Sequence, residues 1–111
     1  FNIVTDRDGF ASTILIRAVH LEQLPSWHVP KKNPDKLEKV AAGPGKLCRE
    51  LRIDESLRGK PIHPERGLWV EPRKESEASL EITQTTRVGL SKGMDIPWRW
   101  YLTHSPAVSR R

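Results

Sequence analysis

The tetrapeptide Gly43-Pro44-Gly45-Lys46 is the stretch of this sequence whose residue types point most directly to chemistry. Gly43 can cap a helix, and Pro44 can occupy its first position, where a missing N–H is no loss. The backbone amides of a helix's first turn have no partner inside the helix, and they can donate to a phosphate. Gly45 allows close approach of the backbone, and Lys46 adds positive charge. The turn is therefore predicted to be either a phosphate contact or simply a capped helix start.

Arg17 is the second candidate, because it lies inside an apolar run. Residues 12–19 (STILIRAV) are rich in β-branched side chains, which predicts a strand buried on both faces. A buried guanidinium has a large desolvation cost, so it requires a carboxylate, a water or a ligand beside it. On the residues alone a structural salt bridge is the favoured interpretation, and contact with a water or ligand is the alternative.

The other reactive side chains form no pattern typical of metal or disulfide chemistry. Cys48 is the single cysteine, which excludes an internal disulfide. No metal site is expected, because the histidines show no metal-ligand spacing with Cys48; they are His20, His28, His63 and His104. Apolar runs are far shorter than a membrane span and no signal segment is visible, so a cytoplasmic protein is expected, or a nuclear one in a eukaryote.

Length and charge narrow the class of protein further. The 111 residues suit one domain, and the start at Phe1 suggests a piece cut from a longer protein. A net charge of +5 and a pI near 9.7 favour polyanionic partners such as nucleic acid or an acidic membrane surface. The positive charge concentrates towards the C-terminus, since the segment from Arg87 onward holds five basic and one acidic side chain.

The turn of residues 43–46 would be positioned by a short amphipathic helix that begins at Pro44. Its predicted apolar stripe is Leu47, Cys48 and Leu51, and the residues predicted to face water are Arg49, Glu50 and Arg52. Residues 25–36 hold three prolines and a lysine cluster, which predicts an extended surface loop. Trp27 is expected to fasten that loop to the core, and stacking of Trp27 and His28 on a base is the alternative.

Three strands are predicted in the second half of the chain, over residues 67–73, 80–90 and 97–103. Gly89 inside the second strand indicates a bulge or a close approach of the backbone to a ligand. The third strand has one apolar face, which we expect in the core; it consists of Trp98, Trp100 and Leu102.

The order of these segments resembles the C-terminal half of the 3-methyladenine DNA glycosylases of the alkyladenine (methylpurine) type. The matching pieces are "FNIV", "ILIRAV", "GPGKLC", "LW", "RVGL", "PWRWY" and "VSR", and they span nearly the whole chain. "GPGKLC" and "PWRWY" are the most specific of them. The resemblance implies a single mixed α+β domain with a curved, mostly antiparallel sheet and few helices, of which residues 1–111 are the C-terminal part.

The resemblance also implies an activity. Members of this family flip a damaged purine out of duplex DNA and hydrolyse its N-glycosidic bond with an activated water, which leaves an abasic site. They use no metal or organic cofactor, have no lyase step, and act as monomers. The implied partner is therefore double-stranded DNA that carries a damaged purine, and no membrane is involved.

Site residues follow from the same resemblance. Arg17 matches the arginine that helps to hold the attacking water, together with the backbone carbonyl of Val88. Asn2 matches the asparagine on the pocket wall that selects against the exocyclic amino group of guanine. The turn of Gly43, Pro44, Gly45 and Lys46 matches the backbone that approaches DNA phosphates.

The sequence also departs from the family pattern. The family's glutamate general base and its intercalating tyrosine lie upstream of the part matched here, so residues 1–111 alone are expected to be inactive. His20-Leu21 replaces the usual Glu-Pro, and the proline-rich loop at 25–34 replaces a helical segment. Two alternative functions are considered. One is a non-catalytic DNA-binding module derived from this fold, and the other is a structural or protein-interaction domain.

Overall fold

The structure, a computed structural model, describes all of residues 1–111. The chain forms two compact units. The first unit comprises Phe1–Arg58 with Pro106–Arg111, and the second unit comprises Gly59–Ser105. Each unit contains one pair of antiparallel strands. No helix in the chain combines the length and the apolar character that crossing a membrane requires.

The first unit begins with a hairpin of two short strands. β1 (Asn2–Val4) pairs with β2 (Thr13–Leu15), and Asn2 lies directly opposite Leu15. The pairing continues past the strand ends through a 2.8 Å hydrogen bond from the Ile16 N–H to the Phe1 carbonyl. Arg17 is therefore the first residue beyond the paired segment.

The predicted buried strand over residues 12–19 is wrong in both extent and burial. A strand extends only as far as a partner backbone can pair with it, and β1 supplies three residues. All three residues of β2 are exposed. The end of the apolar run turns towards the helices instead, since the Val19 N–H donates to the Ala41 carbonyl at 3.2 Å.

Two helices follow the proline-rich loop. The loop over residues 25–36 contains no helix or strand, as predicted. α1 spans Leu37–Val40 and α2 spans Pro44–Glu50. Gly43 has extended backbone (φ 164°) and Pro44 is the first helical residue, which confirms the predicted start of α2.

The core of the first unit lies around these helices. Leu47 on α2 is fully buried, whereas Cys48 and Leu51 are half-buried, so the predicted apolar stripe is confirmed. The other buried apolar side chains are small; they are Val40, Ala41, Ala42 and Ala107. No residue of the second unit is buried to this degree.

The second unit is built on the pair β3 (Ile82–Thr85) and β4 (Arg99–Leu102). They pair antiparallel with Ile82 opposite Leu102, and the predicted strand 97–103 forms in its central part. The predicted strand 80–90 is too long, because β4 pairs with residues 82–85 only and residues 86–90 lie in the loop. Single turns of 3-10 helix occur at Pro64–Arg66 and Glu75–Glu77 in this unit, and another occurs at Glu55–Leu57 in the first.

The predicted strand over residues 67–73 is wrong. Only an isolated bridge between His63 and Leu68 is present there. Gly67 ends the preceding 3-10 turn with a left-handed backbone (φ 76°), and Pro72 has no N–H to give to a ladder. Without a pairing partner, the alternating pattern of this segment does not produce a strand.

The apolar face of β4 is exposed, which corrects the expectation that its aromatic side chains lie in the core. Trp98 is 61% exposed and Trp100 is 57% exposed. The residues that alternate with them, Arg99 and Tyr101, are half-buried. From polarity alone, the tryptophans are expected to be buried and Arg99 to be exposed. The alternating pattern therefore predicted where the strand lies, but not which of its faces is buried.

The fold class is the predicted one, α+β with antiparallel strands and few helices. The four strands form two separate pairs, and neither pair extends into a larger sheet. Two-stranded sheets are marginally stable on their own.

Candidate functional site

The turn at residues 43–46 has the open backbone that an anion contact requires. No side chain caps α2, and the first backbone hydrogen bond of the helix is donated by Leu47 to the Gly43 carbonyl at 2.8 Å. The amides of Gly45 and Lys46 therefore have no acceptor within the chain. A Cβ at Gly43 or Gly45 would meet nothing within 4 Å, so the space beside the turn is free. Contact with a phosphate at this turn stays a prediction.

Lys46 is held beside the turn by a carboxylate that the sequence analysis did not single out. Its Nζ lies 3.7 Å from a carboxylate oxygen of Asp35, which also lies 3.5 Å from Lys31 Nζ. The Lys46 side chain is 44% exposed and that of Asp35 is 35% exposed. Exposed pairs of this kind contribute little to stability. Lys46 can therefore exchange Asp35 for a phosphate oxygen at small cost.

Arg17 lies two residues beyond β2, and its side chain is exposed. The guanidinium makes no hydrogen bond and no ion pair in the chain. The expectation of a buried arginine in a salt bridge is therefore wrong, because the strand that was to bury it ends at Leu15. The donors of Arg17 are free to bind a water or another ligand.

Asn2 lies near the same end of the hairpin as Arg17. It is paired opposite Leu15, and Leu15 precedes Arg17 by two residues. Directly opposite residues of an antiparallel pair project to the same face, so Asn2 and Leu15 share one face of the hairpin. Asn2 is exposed, as a residue that contacts a substrate must be.

Val88 belongs to the second unit and lies in the loop between β3 and β4. Its side chain is half-buried, and the following Gly89 has a left-handed backbone with φ 72°. Gly89 thus permits a turn that a side chain would strain. The predicted bulge inside a strand is wrong, because β3 ends at Thr85 and Gly89 lies in the loop.

Arg87 organises the loop that carries Val88, and no sequence pattern singles this residue out. Arg87 Nη2 donates to the Gly93 carbonyl at 3.0 Å, and the guanidinium lies 5.3 Å from the centre of the Trp98 ring. Its Nε is buried without a hydrogen-bond partner. Gly93 has a left-handed backbone with φ 65°, which favours glycine, and a Cβ there would make the Arg87 guanidinium shift away from the Gly93 carbonyl. This contact joins residues six positions apart in a loop. Such a spacing belongs to no regular helix or strand pattern, so the sequence does not predict it.

The proline-rich loop, Val40 of α1 and α2 line a cavity of about 380 Å³ that is open to solvent. Two contacts fasten the loop to the end of α2: Trp27 Nε1 donates to the Glu50 carbonyl at 2.6 Å, and His28 Nδ1 lies 2.9 Å from Glu50 Oε2. Trp27 therefore fastens the loop, but it does so through a hydrogen bond at the end of α2 and not by packing in the core, since its side chain is 41% exposed. Glu50 does not face water, which corrects the prediction, because its side chain is only 16% exposed beside His28. The basic residues that line the cavity are Lys31, Lys46, Arg49 and Arg52.

Comparison with known proteins gives one consistent result. The family model for methylpurine-DNA glycosylase matches residues 1–106. A protein of Trichodesmium erythraeum named "Putative 3-methyladenine DNA glycosylase" is 49% identical, and the match covers 98% of this chain and 57% of that protein. Proteins with the same name from Synechococcus sp. and Synechococcus elongatus are 47% and 43% identical, with 97% and 99% of this chain covered and 57% and 50% of theirs. The chain thus spans little more than half the length of these relatives. No solved structure matches it.

Proposed function

The chain belongs to the methylpurine-DNA glycosylase family, and from that premise we propose that it forms part of a base-excision-repair glycosylase that removes damaged purines from duplex DNA. The family match over residues 1–106 is the observation that carries this proposal. The net charge of +5 supports a DNA partner, because a basic protein is attracted to the phosphate backbone.

The proposed DNA contact is the turn of Gly43, Pro44, Gly45 and Lys46. The unpaired amides of Gly45 and Lys46 and the free space beside both glycines support it. A phosphate oxygen would accept from these amides, and Lys46 would leave Asp35 to approach the same phosphate. Such a contact fixes position on the duplex and does not read the sequence of bases.

The proposed chemistry is hydrolysis of the glycosidic bond of an alkylated or otherwise damaged purine that has been flipped out of the duplex. The water oxygen forms a bond to C1′ of the sugar, and the electron pair of the C1′–N bond leaves with the purine. The proton of the water passes to a general base, which the family pattern places upstream of the region matched here. The products are a free purine and an abasic site. No lysine amine takes part, so there is no lyase step.

We propose that Arg17 helps to orient the attacking water and that the backbone carbonyl of Val88 accepts a hydrogen bond from it. The exposed, unpartnered guanidinium of Arg17 supports the first role. The loop geometry at Gly89 and Arg87, which fixes the backbone next to Val88, supports the second. Asn2 is proposed to line the pocket and to reject the exocyclic amino group of undamaged guanine. The protein is proposed to act as a monomer and without a metal or cofactor.

The activity is tested with two proteins, residues 1–111 alone and residues 1–111 joined to the segment of the Trichodesmium relative that they do not match. Each is incubated with a duplex that contains one alkylated purine, and abasic product is measured as strand cleavage by alkali. We expect both proteins to bind the duplex, with affinity that falls as salt rises. We expect only the joined protein to release the base.

The control is the same duplex with an undamaged purine, which should give no abasic product. Binding by the joined protein without release of any alkylated purine would favour the non-catalytic DNA-binding module. If neither protein binds the duplex at low salt, both functions are wrong, and a structural role is left.

A further inference from the structure

The cavity between the proline-rich loop and α2 has an apolar wall as well as basic side chains, and it lies entirely within the first unit. Apolar surface is provided by Trp27, Val29, Pro30, Pro34 and Val40. Its volume of about 380 Å³ lies at the lower end of the usual range for small-molecule sites. A bare anion would leave the apolar wall without a contact. The cavity therefore fits a ligand that has both an apolar body and a negative charge.

Two of the basic side chains are free to bind that charge. The cavity has two carboxylates, and both have partners in the chain, since Glu50 contacts His28 and Asp35 contacts two lysines. Arg49 and Arg52 are exposed, and neither forms an ion pair. A guanidinium donates two parallel hydrogen bonds to a phosphate, so a phosphate is the negative group that suits these arginines.

Arg52 and Trp27 together present two planar groups to the cavity. The Arg52 guanidinium lies 4.9 Å from the centre of the Trp27 ring. The ring is held in place because Trp27 Nε1 donates to the Glu50 carbonyl at 2.6 Å. Unpaired bases of nucleic acids stack on aromatic rings and on arginine guanidinium planes. This arrangement supports the interpretation in which Trp27 stacks on a base.

The backbone of Arg52 is of a kind that favours glycine. α2 ends in a Schellman motif, in which the Arg52 N–H donates to the Arg49 carbonyl at 3.4 Å. The Ile53 N–H donates to the Cys48 carbonyl at 2.9 Å and completes the motif. Arg52 has φ 53° and is the only residue other than glycine with a positive φ. Strained backbone of this kind is frequent in binding sites, and here it accompanies a cation placed over Trp27.

We propose that this cavity binds a nucleotide with an unpaired base, either as a free nucleotide or as part of single-stranded DNA. The base stacks on Trp27 and Arg52, and Arg49 donates to the phosphate. The site is separate in kind from the recognition of a damaged purine in a duplex, where every other base is paired. The proposal therefore goes beyond the proposed glycosylase activity and does not depend on it.

The test titrates residues 1–111 with deoxyadenosine monophosphate, with a short single-stranded oligodeoxyadenylate and with inorganic phosphate, and measures binding by calorimetry. We expect the nucleotide and the single strand to bind. Inorganic phosphate should bind about tenfold more weakly or not at all, because one stacked base contributes an effect of this order. Tighter binding of the single strand identifies single-stranded DNA as the ligand, and tighter binding of the monophosphate identifies the free nucleotide.

Arg52→Gly separates binding from stability. Glycine adopts φ 53° without strain, so the midpoint of thermal unfolding should not fall. Nucleotide binding should weaken about tenfold, because the guanidinium that stacks on the base is lost. A purely structural role of Arg52 predicts the reverse, a lower midpoint with unchanged binding.

Arg58→Gly is the matched control, because Arg58 is an exposed arginine of the same unit that does not line the cavity. It should leave nucleotide binding unchanged.

Three results would overturn the proposal. One is that the nucleotide and the single strand fail to bind, or bind no better than inorganic phosphate. Another is nucleotide binding that Arg52→Gly leaves unchanged. The third is loss of nucleotide binding when residues 1–111 are joined to the unmatched segment of the Trichodesmium relative, because the cavity would then be covered. None of these measurements involves a duplex or base excision, so failure here is distinguishable from failure of the proposed function.

Discussion

Arg17 carries an exposed guanidinium that has no hydrogen-bond or ion-pair partner in the chain. Lys46 is also exposed, but it has a partner in Asp35. Both residues therefore contribute little to the folded state, and their charges are available to a ligand. At this scale, effects on function and effects on stability can be separated by single substitutions.

Arg17→Met keeps most of the side-chain volume and removes the donors. In residues 1–111 joined to the unmatched segment of the relative, we expect single-turnover base excision to fall on the order of a hundredfold, because the attacking water loses its orientation. The free energy of unfolding should change by less than about 0.5 kcal/mol, since an exposed side chain without a partner is removed. Both quantities are measured on the same preparation.

Arg58→Met is the control, because Arg58 is also an exposed arginine, with only a surface pair to Glu55. It should leave both excision and stability unchanged. Undiminished excision in Arg17→Met would remove Arg17 from the active site.

Lys46→Ala should weaken binding to damaged and undamaged duplexes alike, because a phosphate contact carries no information about the base. We expect the slope of log K against log salt to become shallower by about one unit. Asp35→Asn should have the opposite sign and strengthen binding, since it removes the carboxylate that competes for Lys46. Fluorescence anisotropy at several salt concentrations measures both variants.

Lys60→Ala is the control, because Lys60 is an exposed lysine outside the turn. It should change the salt slope less than Lys46→Ala does. If Lys46→Ala leaves the salt slope of residues 1–111 unchanged, the turn does not contact a phosphate.

At the scale of elements, the loops are held by a few side chains that contact a backbone carbonyl or a side-chain carboxylate of another segment. Trp27 and His28 attach the proline-rich loop to Glu50 at the end of α2. Arg87 attaches the loop that carries Val88 to the carbonyl of Gly93. Each loop thus has a defined shape without secondary structure of its own, and changes at these contacts should act on loop geometry first.

Gly93→Ala tests the second of these attachments. Alanine must adopt φ 65° and must also displace Arg87 Nη2, so we expect a loss of about 2–3 kcal/mol in the free energy of unfolding. Gly59→Ala is the matched control, because Gly59 has φ 72° with nothing within 4 Å of a Cβ; it should lose only about 1 kcal/mol. Urea unfolding gives both values.

In an Arg87→Ala background the two glycine substitutions should cost nearly the same, because the displaced guanidinium is gone. Equal losses for Gly93→Ala and Gly59→Ala with Arg87 present would show that Arg87 is not fixed by Gly93.

At the scale of the whole molecule, only five side chains are buried, and all of them lie in the first unit. Most of them are alanines, so the area removed from water is small, and hydrophobic stabilisation scales with that area. Large apolar side chains remain exposed in both units, among them Val4, Phe10 and Ile14 in the first and Trp98 and Trp100 in the second. The chain therefore leaves much of its large apolar surface in contact with solvent.

The sequence by itself determined the features that depend on neighbouring residues. Glycine followed by proline fixed the start of α2 at Pro44, because only local backbone geometry is involved. The prolines of residues 25–36 excluded a regular element there. The ordered motifs from "FNIV" to "VSR" identified the family, since each motif is a contiguous stretch of chain.

Only the tertiary structure decided which side of each element is covered. The apolar residues of 12–19 did not bury Arg17, because the length of β2 depends on its partner β1. The aromatic face of β4 is exposed although its alternation is clear, because burial depends on what packs against a strand and not on the strand's own pattern. The contacts of Arg87 with Gly93 and of His28 with Glu50 join residues without any regular spacing, so they exist only once the loops have folded.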